Sequence, residues 1–300
     1  MNQSDITLGT ELKSKQIEID HVPMHYFEQG KGDPIILLHS VPASAWIWRD
    51  IIPHLAVLGR CIALDLPGFG QSGKPNTPYP LEEQIHLIEK FIDTLQLEHI
   101  TFILHGWGSI PGLDYAMRHP KKCKGLVFYE AWLCSPQGEY ISLPYQEYIL
   151  YWQKEKNREQ VMTNGIQFVN QTLQQFAIQP FDENTLAHYY APFLQTGTGK
   201  SLYQYLKDSP SGDGKSVADK IISQYSKKLA KSDLPKLLLY SIPGFVTTIE
   251  ALTWAREHLP VIEVAEVGED LHFGQESNPT LMGESISIWM QAVEQNYDRG

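Results

Sequence analysis

Short apolar runs alternate with segments of helical periodicity along most of this 300-residue chain, and this alternation is what most limits its fold. Continuous apolar runs such as GDPIILLHS suit strands buried on both faces, as in parallel sheets. Segments such as LEEQIHLIEKFIDTLQL carry apolar residues three and four positions apart, which is typical of amphipathic helices. The predicted strands lie at 32–40, 60–70, 99–109, 123–133, 234–244 and 260–268, after a strand pair at 16–30 that turns at 20–23. The predicted helices lie at 49–59, 81–97, 110–120, 248–259 and 277–295. This order predicts a mostly parallel sheet with helices on both faces.

The stretch from 134 to 215 interrupts the alternation. It is rich in Tyr, Gln and Phe, has helical spacing and contains no strand-like run, and the loop signals GTGK and SPSGDGKS mark its end. Because it follows the sixth predicted strand, it indicates a helical insertion into a single α/β domain. We therefore expect a core domain of residues 1–133 and 216–300 and a helical cap of residues 134–215.

Charge and cysteine usage exclude several classes of function. The formal net charge is −11, whereas nucleic acids and anionic membranes favour basic partners, so we expect neither as a partner. Three irregularly spaced cysteines form neither a disulfide framework nor a zinc site, and no apolar run reaches the roughly 18 residues of a membrane helix. The polar N-terminus MNQSDITLGTELKSKQ lacks the pattern of a signal peptide. These features predict a soluble, cytoplasmic protein that is a monomer or a small homo-oligomer.

Chemically reactive side chains follow four of the predicted strands, which is where open parallel sheets place their functional loops. The loops are 39–42, 105–108, the position Glu130 and 270–273. The segment ILHGWGSIPG has the strand–turn–helix context and the small residues of a nucleophile elbow. The apex of such a turn usually carries Ser, Asp or Cys, but here it carries Gly106. The sequence therefore predicts an elbow that lacks its nucleophilic side chain.

Seven stretches taken together are typical of one family. They are ILLHSVPASAWIWRDIIPHL, RCIALDLPGFGQSGKP, FILHGWGSIPGLDYAMRHP, KGLVFYEAW, HYYAPFL, DLPKLLLYSIPGF and EVGEDLHFGQESNPTLMGESISIWM. With them the chain resembles the haloalkane dehalogenases of the α/β-hydrolase fold and is similar to their relative, the coelenterazine luciferase of sea pansies. The resemblance extends from about residue 16 to residue 292 and is weakest between 134 and 215. It implies a mostly parallel eight-stranded sheet flanked by helices, with a helical cap inserted after strand 6.

The resemblance assigns roles only in part. In that family an Asp at the elbow attacks the carbon that bears a halogen, and a His oriented by a carboxylate then activates water to hydrolyse the alkyl-enzyme ester. A Trp after the nucleophile and an Asn in the HGNP loop hold the halide. The resemblance places His272 as the base, Glu130 as the orienting acid and Trp107 as one halide donor. Gly106 stands at the nucleophile position and Val41 at the Asn position, so both of those side chains are missing.

The glycine at the elbow changes what the site can do. Gly106 cannot form a covalent ester, and it tolerates the strained backbone of an elbow without steric cost. Ser109 begins the helix behind the elbow, and Ser40, where the family usually has Gly, lies in another loop, so we expect neither to substitute. The backbone N–H groups of Val41 and Trp107 can still stabilise an oxyanion. Three positions of the site, 40, 41 and 106, depart together, which favours natural divergence over engineered inactivation, and both origins stay open.

These features predict a haloalkane dehalogenase-like hydrolase of a small apolar substrate that is inactive as a covalent dehalogenase. Two alternatives stay open. The Glu130–His272 pair could support non-covalent hydrolysis, a lyase reaction or cofactor-free oxygenation, or the protein could be a non-catalytic small-molecule binder. We expect Phe168, Phe245 and Leu271 to line the pocket. No cofactor is predicted, and no metal, because the histidines lack ligand spacing.

Overall fold

The computed structural model describes residues 12–73, 78–195 and 197–297, and an eight-stranded sheet runs through them. The strands are β1 (Lys13–Ile19), β2 (Val22–Gln29), β3 (Pro34–Leu38), β4 (Arg60–Leu64), β5 (Ile100–His105), β6 (Cys123–Tyr129), β7 (Lys236–Pro243) and β8 (Ile262–Asp270). Their lateral order is β1-β2-β4-β3-β5-β6-β7-β8. The pairs β1–β2 and β2–β4 are antiparallel and the other pairs are parallel. The predicted mostly parallel α/β sheet is confirmed.

A hairpin forms one edge of this sheet. Asp20 and His21 connect β1 to β2 with φ angles of 47° and 65°, the left-handed conformations that a two-residue hairpin turn requires. The residues of β1 are mostly exposed, and its two lysines oppose pairing with a further strand. The predicted strand pair at 16–30 is therefore confirmed, with its first strand beginning three residues earlier.

The central strands are buried along their length, as their continuous apolar runs predicted. Parallel neighbours end at the same edge of a sheet, and ligand sites form in the loops at that edge. Since β3 lies between β4 and β5, and β6 follows β5, the loops after β3, β5 and β6 are neighbours in space although they are far apart in sequence. This lateral order decides which side chains meet.

Helices flank the sheet and cover its carboxyl edge. They are α1 (Ile52–Leu55), α2 (Leu81–Thr94), α3 (Ser109–Arg118), α4 (Leu143–Gln153), α5 (Glu155–Thr163), α6 (Gly165–Gln175), α7 (Glu183–Tyr190), α8 (Gly199–Asp208), α9 (Val217–Leu229), α10 (Ile249–His258), α11 (Gly274–Ser277) and α12 (Pro279–Tyr297). The helix α1 packs against α12, whereas α3 packs against both α2 and α9. The sheet and these helices together confirm the predicted α/β-hydrolase architecture.

The helices α4 to α8 lie between β6 and α9, at the position predicted for the cap. Aromatic rings fill its interior; Trp152 and Phe168, for example, meet edge to face with centroids 5.0 Å apart. The chain then returns to the core in α9, which begins with a capping box formed by Ser216 and Asp219 and packs on α3. The division into a core domain and a cap of residues 134–215 stays a prediction.

No helix within the described residues combines the length and apolarity needed to cross a membrane. The expectation that the chain carries no signal peptide rests chiefly on residues 1–11, which lie outside the described ranges.

Candidate active site

Loops after four strands converge at the carboxyl edge of the sheet. The loop after β3 carries Ser40, the turn after β5 carries Gly106, Glu130 follows β6 directly, and His272 lies just after β8. Ser40, Gly106 and His272 line one small cavity beneath the cap, and Glu130 contacts His272. The contact predicted between the acid and the histidine is therefore present.

The turn from β5 into α3 has the shape of a nucleophile elbow. Gly106 at its apex has φ of 48°, in the left-handed region. Two residues later, a Cβ on Gly108 would lie 2.6 Å from the carbonyl oxygen of His39, so only glycine lets the turn approach β3 so closely. Ser109 donates its hydroxyl to the Gly106 carbonyl at 2.6 Å and accepts the N–H of Trp132 at 3.0 Å. It lies behind the elbow, as the sequence predicted.

The Glu130 carboxylate is buried in a cradle of backbone donors. Its Oε2 atom accepts the N–H groups of Phe245 at 3.0 Å and Val246 at 2.5 Å, and its Oε1 atom accepts the N–H of Thr247 at 3.2 Å. Glu130 has φ of 49°, a strained value for a residue with a side chain, and such strain persists only where the surroundings enforce it. These bonds hold a buried negative charge without a cation.

Hydrogen bonds hold His272 at both its ring and its main chain. Its Nδ1 atom lies 3.2 Å from Oε2 of Glu130, and because a carboxylate can only accept a hydrogen bond, Nδ1 carries the proton. The His272 N–H donates to the carbonyl of Phe176 in the cap at 3.1 Å, and its carbonyl lies 2.9 Å from Nε2 of His105. Burial, followed by the neighbouring His272, lowers the pKa of His105 well below its usual value. A neutral His105 therefore supports His272 without adding a second positive charge.

Ser40 was not expected to substitute for the nucleophile because it lies in another loop, but the structure brings it within hydrogen-bond distance of His272. Its Oγ atom is 3.0 Å from Nε2 of His272 and accepts the N–H of Trp107 at 3.2 Å. Its carbonyl accepts from Nδ1 of His39 at 2.8 Å, because Nε2 of that ring already accepts the N–H of Leu66. Ser40 is 3% exposed and is held at both ends. Its hydroxyl reaches the base because β3 and β5 are adjacent strands.

Ser40 also occupies the space that a side chain at the elbow would need. A Cβ built on Gly106 would lie 2.1 Å from Oγ and 2.6 Å from Cβ of Ser40, and 3.0 Å from Cε1 of His272. Non-bonded atoms do not approach so closely, so a larger residue at position 106 requires the Ser40 side chain to move or to be replaced by a smaller one. The glycine at 106 and the serine at 40 are thus complementary.

The two positions that the resemblance linked to halide binding offer no side-chain donor to the cavity. Trp107 directs its indole N–H to Oε1 of Gln84 in α2 at 3.0 Å, so that donor is already used. Val41 lines the cavity with an apolar side chain. The backbone N–H of Trp107 donates to Oγ of Ser40 at 3.2 Å.

The cavity beneath the cap has a volume of about 20 Å³, close to the space that one water molecule needs. Its wall is formed by residues of the four loops and by aromatic side chains of the cap: Ser40, Val41, Gly106, Trp107, Trp132, Tyr145, Tyr148, Thr172, Phe176, Tyr205, Phe245, Val246 and His272. Of the three residues predicted to line it, only Phe245 does so. Phe168 lies one layer deeper in the cap, against Trp152 and Tyr148, and Leu271 is partly exposed beside the site.

Among the described residues, no group of three His, Cys, Asp or Glu side chains is arranged to hold a metal ion. The site brings a carboxylate, an imidazole and a hydroxyl into one hydrogen-bonded series, which can move a proton from the hydroxyl to the imidazole.

Comparisons with known proteins agree with this fold. A family model described as the alpha/beta hydrolase fold matches residues 33–240, which places the chain in that class. A haloalkane dehalogenase of Sphingobium indicum is 31% identical over 289 residues, covering 94% of this chain and 96% of that protein. The crystal structure of the haloalkane dehalogenase DatA from Agrobacterium tumefaciens is similar with a TM-score of 0.87 at 28% identity, covering 94% of this chain and 97% of that one. The chain belongs to the haloalkane dehalogenase family of α/β hydrolases.

Proposed function

We propose that this chain is a hydrolase of small apolar substrates in which His272 is the general base and Glu130 orients it. One observation carries the proposal: Nδ1 of His272 is bonded to a buried carboxylate, while Nε2 of the same ring lies 3.0 Å from Oγ of Ser40, and both His272 and Ser40 line the cavity. A buried charge is costly unless it is paired, and this one is bonded to the imidazole and to three backbone N–H groups. That arrangement stabilises the imidazolium formed when the base takes a proton.

The same site is unsuited to dehalogenation through an alkyl ester. Gly106 has no attacking group, and Ser40 fills the space where one would stand. A leaving halide would also find no side-chain donor on Val41, and the indole N–H of Trp107 is bonded to Gln84. The chain thus shares the fold and the base of its relatives but not the means to form their intermediate.

The cap restricts the substrate to a small apolar molecule. Aromatic side chains surround a cavity of about 20 Å³, whereas ligand pockets usually measure about 300–1,000 Å³. Substrate binding therefore requires the cap aromatics to move outward. The net charge of −11 makes nucleic acid an unfavourable partner.

The His272→Ala variant tests this function. The unmodified protein is expected to release no bromide from bromoalkanes and to hydrolyse small esters, and His272→Ala is expected to lower kcat/KM for those esters by at least about 10³-fold. His258→Ala, which removes an exposed histidine at the end of α10, serves as the matched control. Bromide release above the rate without protein, or ester hydrolysis that survives in His272→Ala, would contradict the proposal. Absence of any turnover would indicate a binder.

Phe176→Ala is expected to broaden the substrate range. The Phe176 ring lies 3.8 Å from that of Phe245, centroid to centroid, and both rings line the cavity beside His272. Its removal should raise kcat/KM for p-nitrophenyl butyrate relative to p-nitrophenyl acetate by about tenfold, because burial of each added CH₂ contributes about 0.8 kcal/mol. Phe168→Ala is the control, since Phe168 is fully buried in the cap but does not line the cavity. Equal changes in both variants would mean that the effect comes from a loosened cap.

A further inference from the structure

We propose that Ser40 is the nucleophile of this site and that the substrates are small carboxylic esters, hydrolysed through an acyl-enzyme on the loop after β3. The inference rests on the proposed function, because it requires His272 to act as a base. It adds the attacking atom, the covalent intermediate and the substrate class.

The hydrogen bonds around Ser40 assign every proton in the series. Nδ1 of His272 carries a proton and donates it to Glu130, so Nε2 has a free lone pair. Oγ of Ser40 accepts the N–H of Trp107 at 3.2 Å, and it can therefore donate its own proton to Nε2 at 3.0 Å. Hydroxyl, imidazole and carboxylate are then in the order and within the distances of a serine hydrolase triad.

The position of the hydroxyl supports the same assignment. Oγ of Ser40 lies 2.1 Å from the point where an elbow side chain would begin, so it replaces that side chain in space. It also lines the cavity, where an acyl group must enter. The reactive side chain therefore lies in the loop after β3 instead of the turn after β5, and the glycine at 106 leaves the space that it occupies.

Ser109, another buried serine at the elbow, has the hydrogen bonds of a structural residue. Its hydroxyl is as buried as that of Ser40, but it is bonded to the Gly106 carbonyl and the Trp132 N–H, and it does not line the cavity. Ser40 is bonded instead to the base and to an amide that can stabilise an oxyanion. Its contacts are therefore those of a reactive group.

The reaction balances with water as the second reactant. Oγ of Ser40 bonds to the carbonyl carbon as its proton passes to Nε2 of His272, and the Trp107 N–H binds the oxyanion. The bond to the alkoxy oxygen then breaks, and the alcohol leaves with the proton from His272. Water attacks the acyl carbon and gives a proton to His272, the bond to Oγ breaks, and Ser40 recovers that proton as the carboxylic acid leaves. No oxidant, metal or further co-reactant is needed.

Labelling with diethyl p-nitrophenyl phosphate, which phosphorylates an activated serine, tests the assignment. Intact mass spectrometry should show one diethylphosphoryl group per chain, and peptide mapping should place it on Ser40. Ser40→Ala should remain unlabelled and lose at least about 10³-fold in kcat/KM for p-nitrophenyl acetate. Ser44→Ala, in the same loop but outside the lining of the cavity beside His272, should be labelled and active like the unmodified protein. A label on another residue, or Ser40→Ala activity within fivefold of the unmodified protein, would overturn the inference.

Two further variants, His272→Ala and Ser40→Cys, distinguish a wrong nucleophile from a wrong function and from a folding defect. If His272→Ala is inactive while Ser40→Ala remains active, the base is correct and the nucleophile is wrong; if both remain active, the proposed function fails as well. Should Ser40→Ala fold poorly, Ser40→Cys replaces it. Burial raises the pKa of the native thiols Cys61, Cys123 and Cys134 to about 12, so iodoacetamide at neutral pH should react at position 40 alone. That reaction should slow at least about tenfold when His272→Ala is added, and an unchanged rate would overturn the inference.

Discussion

Replacing Glu130 with alanine is expected to lower kcat/KM for ester hydrolysis by about 10⁴-fold and the free energy of unfolding by at least about 3 kcal/mol. The variant leaves the backbone N–H groups of Phe245, Val246 and Thr247 without an acceptor, and each buried donor left unpaired costs about 1–3 kcal/mol. It also frees the His272 ring to rotate and removes the charge that stabilises its protonated form. Steady-state kinetics and urea unfolding measure the two effects.

The Glu130→Gln variant should separate these two effects. The amide oxygen is expected to stay at the Oε2 position, because an NH₂ group there would face the N–H groups of Phe245, Val246 and His272. His272 then keeps its acceptor and its tautomer, whereas the negative charge and the acceptor of the Thr247 N–H are lost. We expect activity to fall by about tenfold to a hundredfold, with a smaller loss of stability than in Glu130→Ala.

Glu28→Ala is the control for both variants. Glu28 is a partly buried carboxylate paired with Lys15 and Arg60 on the hairpin side of the sheet, away from the cavity. Its loss should leave kcat/KM unchanged and cost no more than about 1 kcal/mol. If Glu130→Gln proved as inactive as Glu130→Ala, the charge rather than the orientation of His272 would dominate, contrary to this geometry.

Much of the fold could be predicted because the spacing of apolar residues within a segment indicates which of its faces are buried. The apolar runs of β3 and β5 and the amphipathic pattern of α2 are properties of single segments, and the structure confirms each of them. The contact between Glu130 and His272 was also accessible, because both residues follow parallel strands, and parallel strands end at the same edge. In each case the sequence carries the determining property within a few residues.

Ser40, Phe168 and Trp107 were predicted less well because their surroundings depend on distant segments. Whether Ser40 reaches His272 depends on β3 being next to β5, and this lateral order is not visible in chain order. Helical spacing marks Phe168 as buried but does not tell which layer of the cap it occupies. The indole of Trp107 points to Gln84, twenty-three residues earlier on α2. The sequence did carry one indication of the role of Ser40: a serine stands at position 40, where the family usually has glycine, and a glycine stands at the elbow.

Exchanging the residue types at positions 40 and 106 is expected to have coupled effects on stability and activity. Gly106→Ser alone is expected to destabilise the fold by about 2–4 kcal/mol, because its Cβ meets Oγ of Ser40 and because a left-handed backbone is costly for a residue with a side chain. Ser40→Gly alone is expected to be stable but inactive, since it removes the proposed nucleophile. With both changes the overlap with Ser40 disappears and only the backbone cost of about 1–2 kcal/mol remains.

The double variant Ser40→Gly/Gly106→Ser therefore tests whether the two positions share one function. The serine at the elbow should recover at least about tenfold of the activity lost in Ser40→Gly; recovery will be incomplete because Cε1 of His272 lies 3.0 Å from the new Cβ and must shift. A double-mutant cycle on unfolding should give a coupling energy of about 1–3 kcal/mol between the sites. Ser44→Gly combined with Gly106→Ser is the matched control for the coupling, because Ser44 lies in the same loop but its atoms are not among the three nearest to a Cβ at position 106, and its stability changes should be additive. The changes in the free energy of unfolding could be additive, or the double variant could be no more active than Ser40→Gly. Either result would mean that Ser40 only fills the space at the elbow and is not the nucleophile.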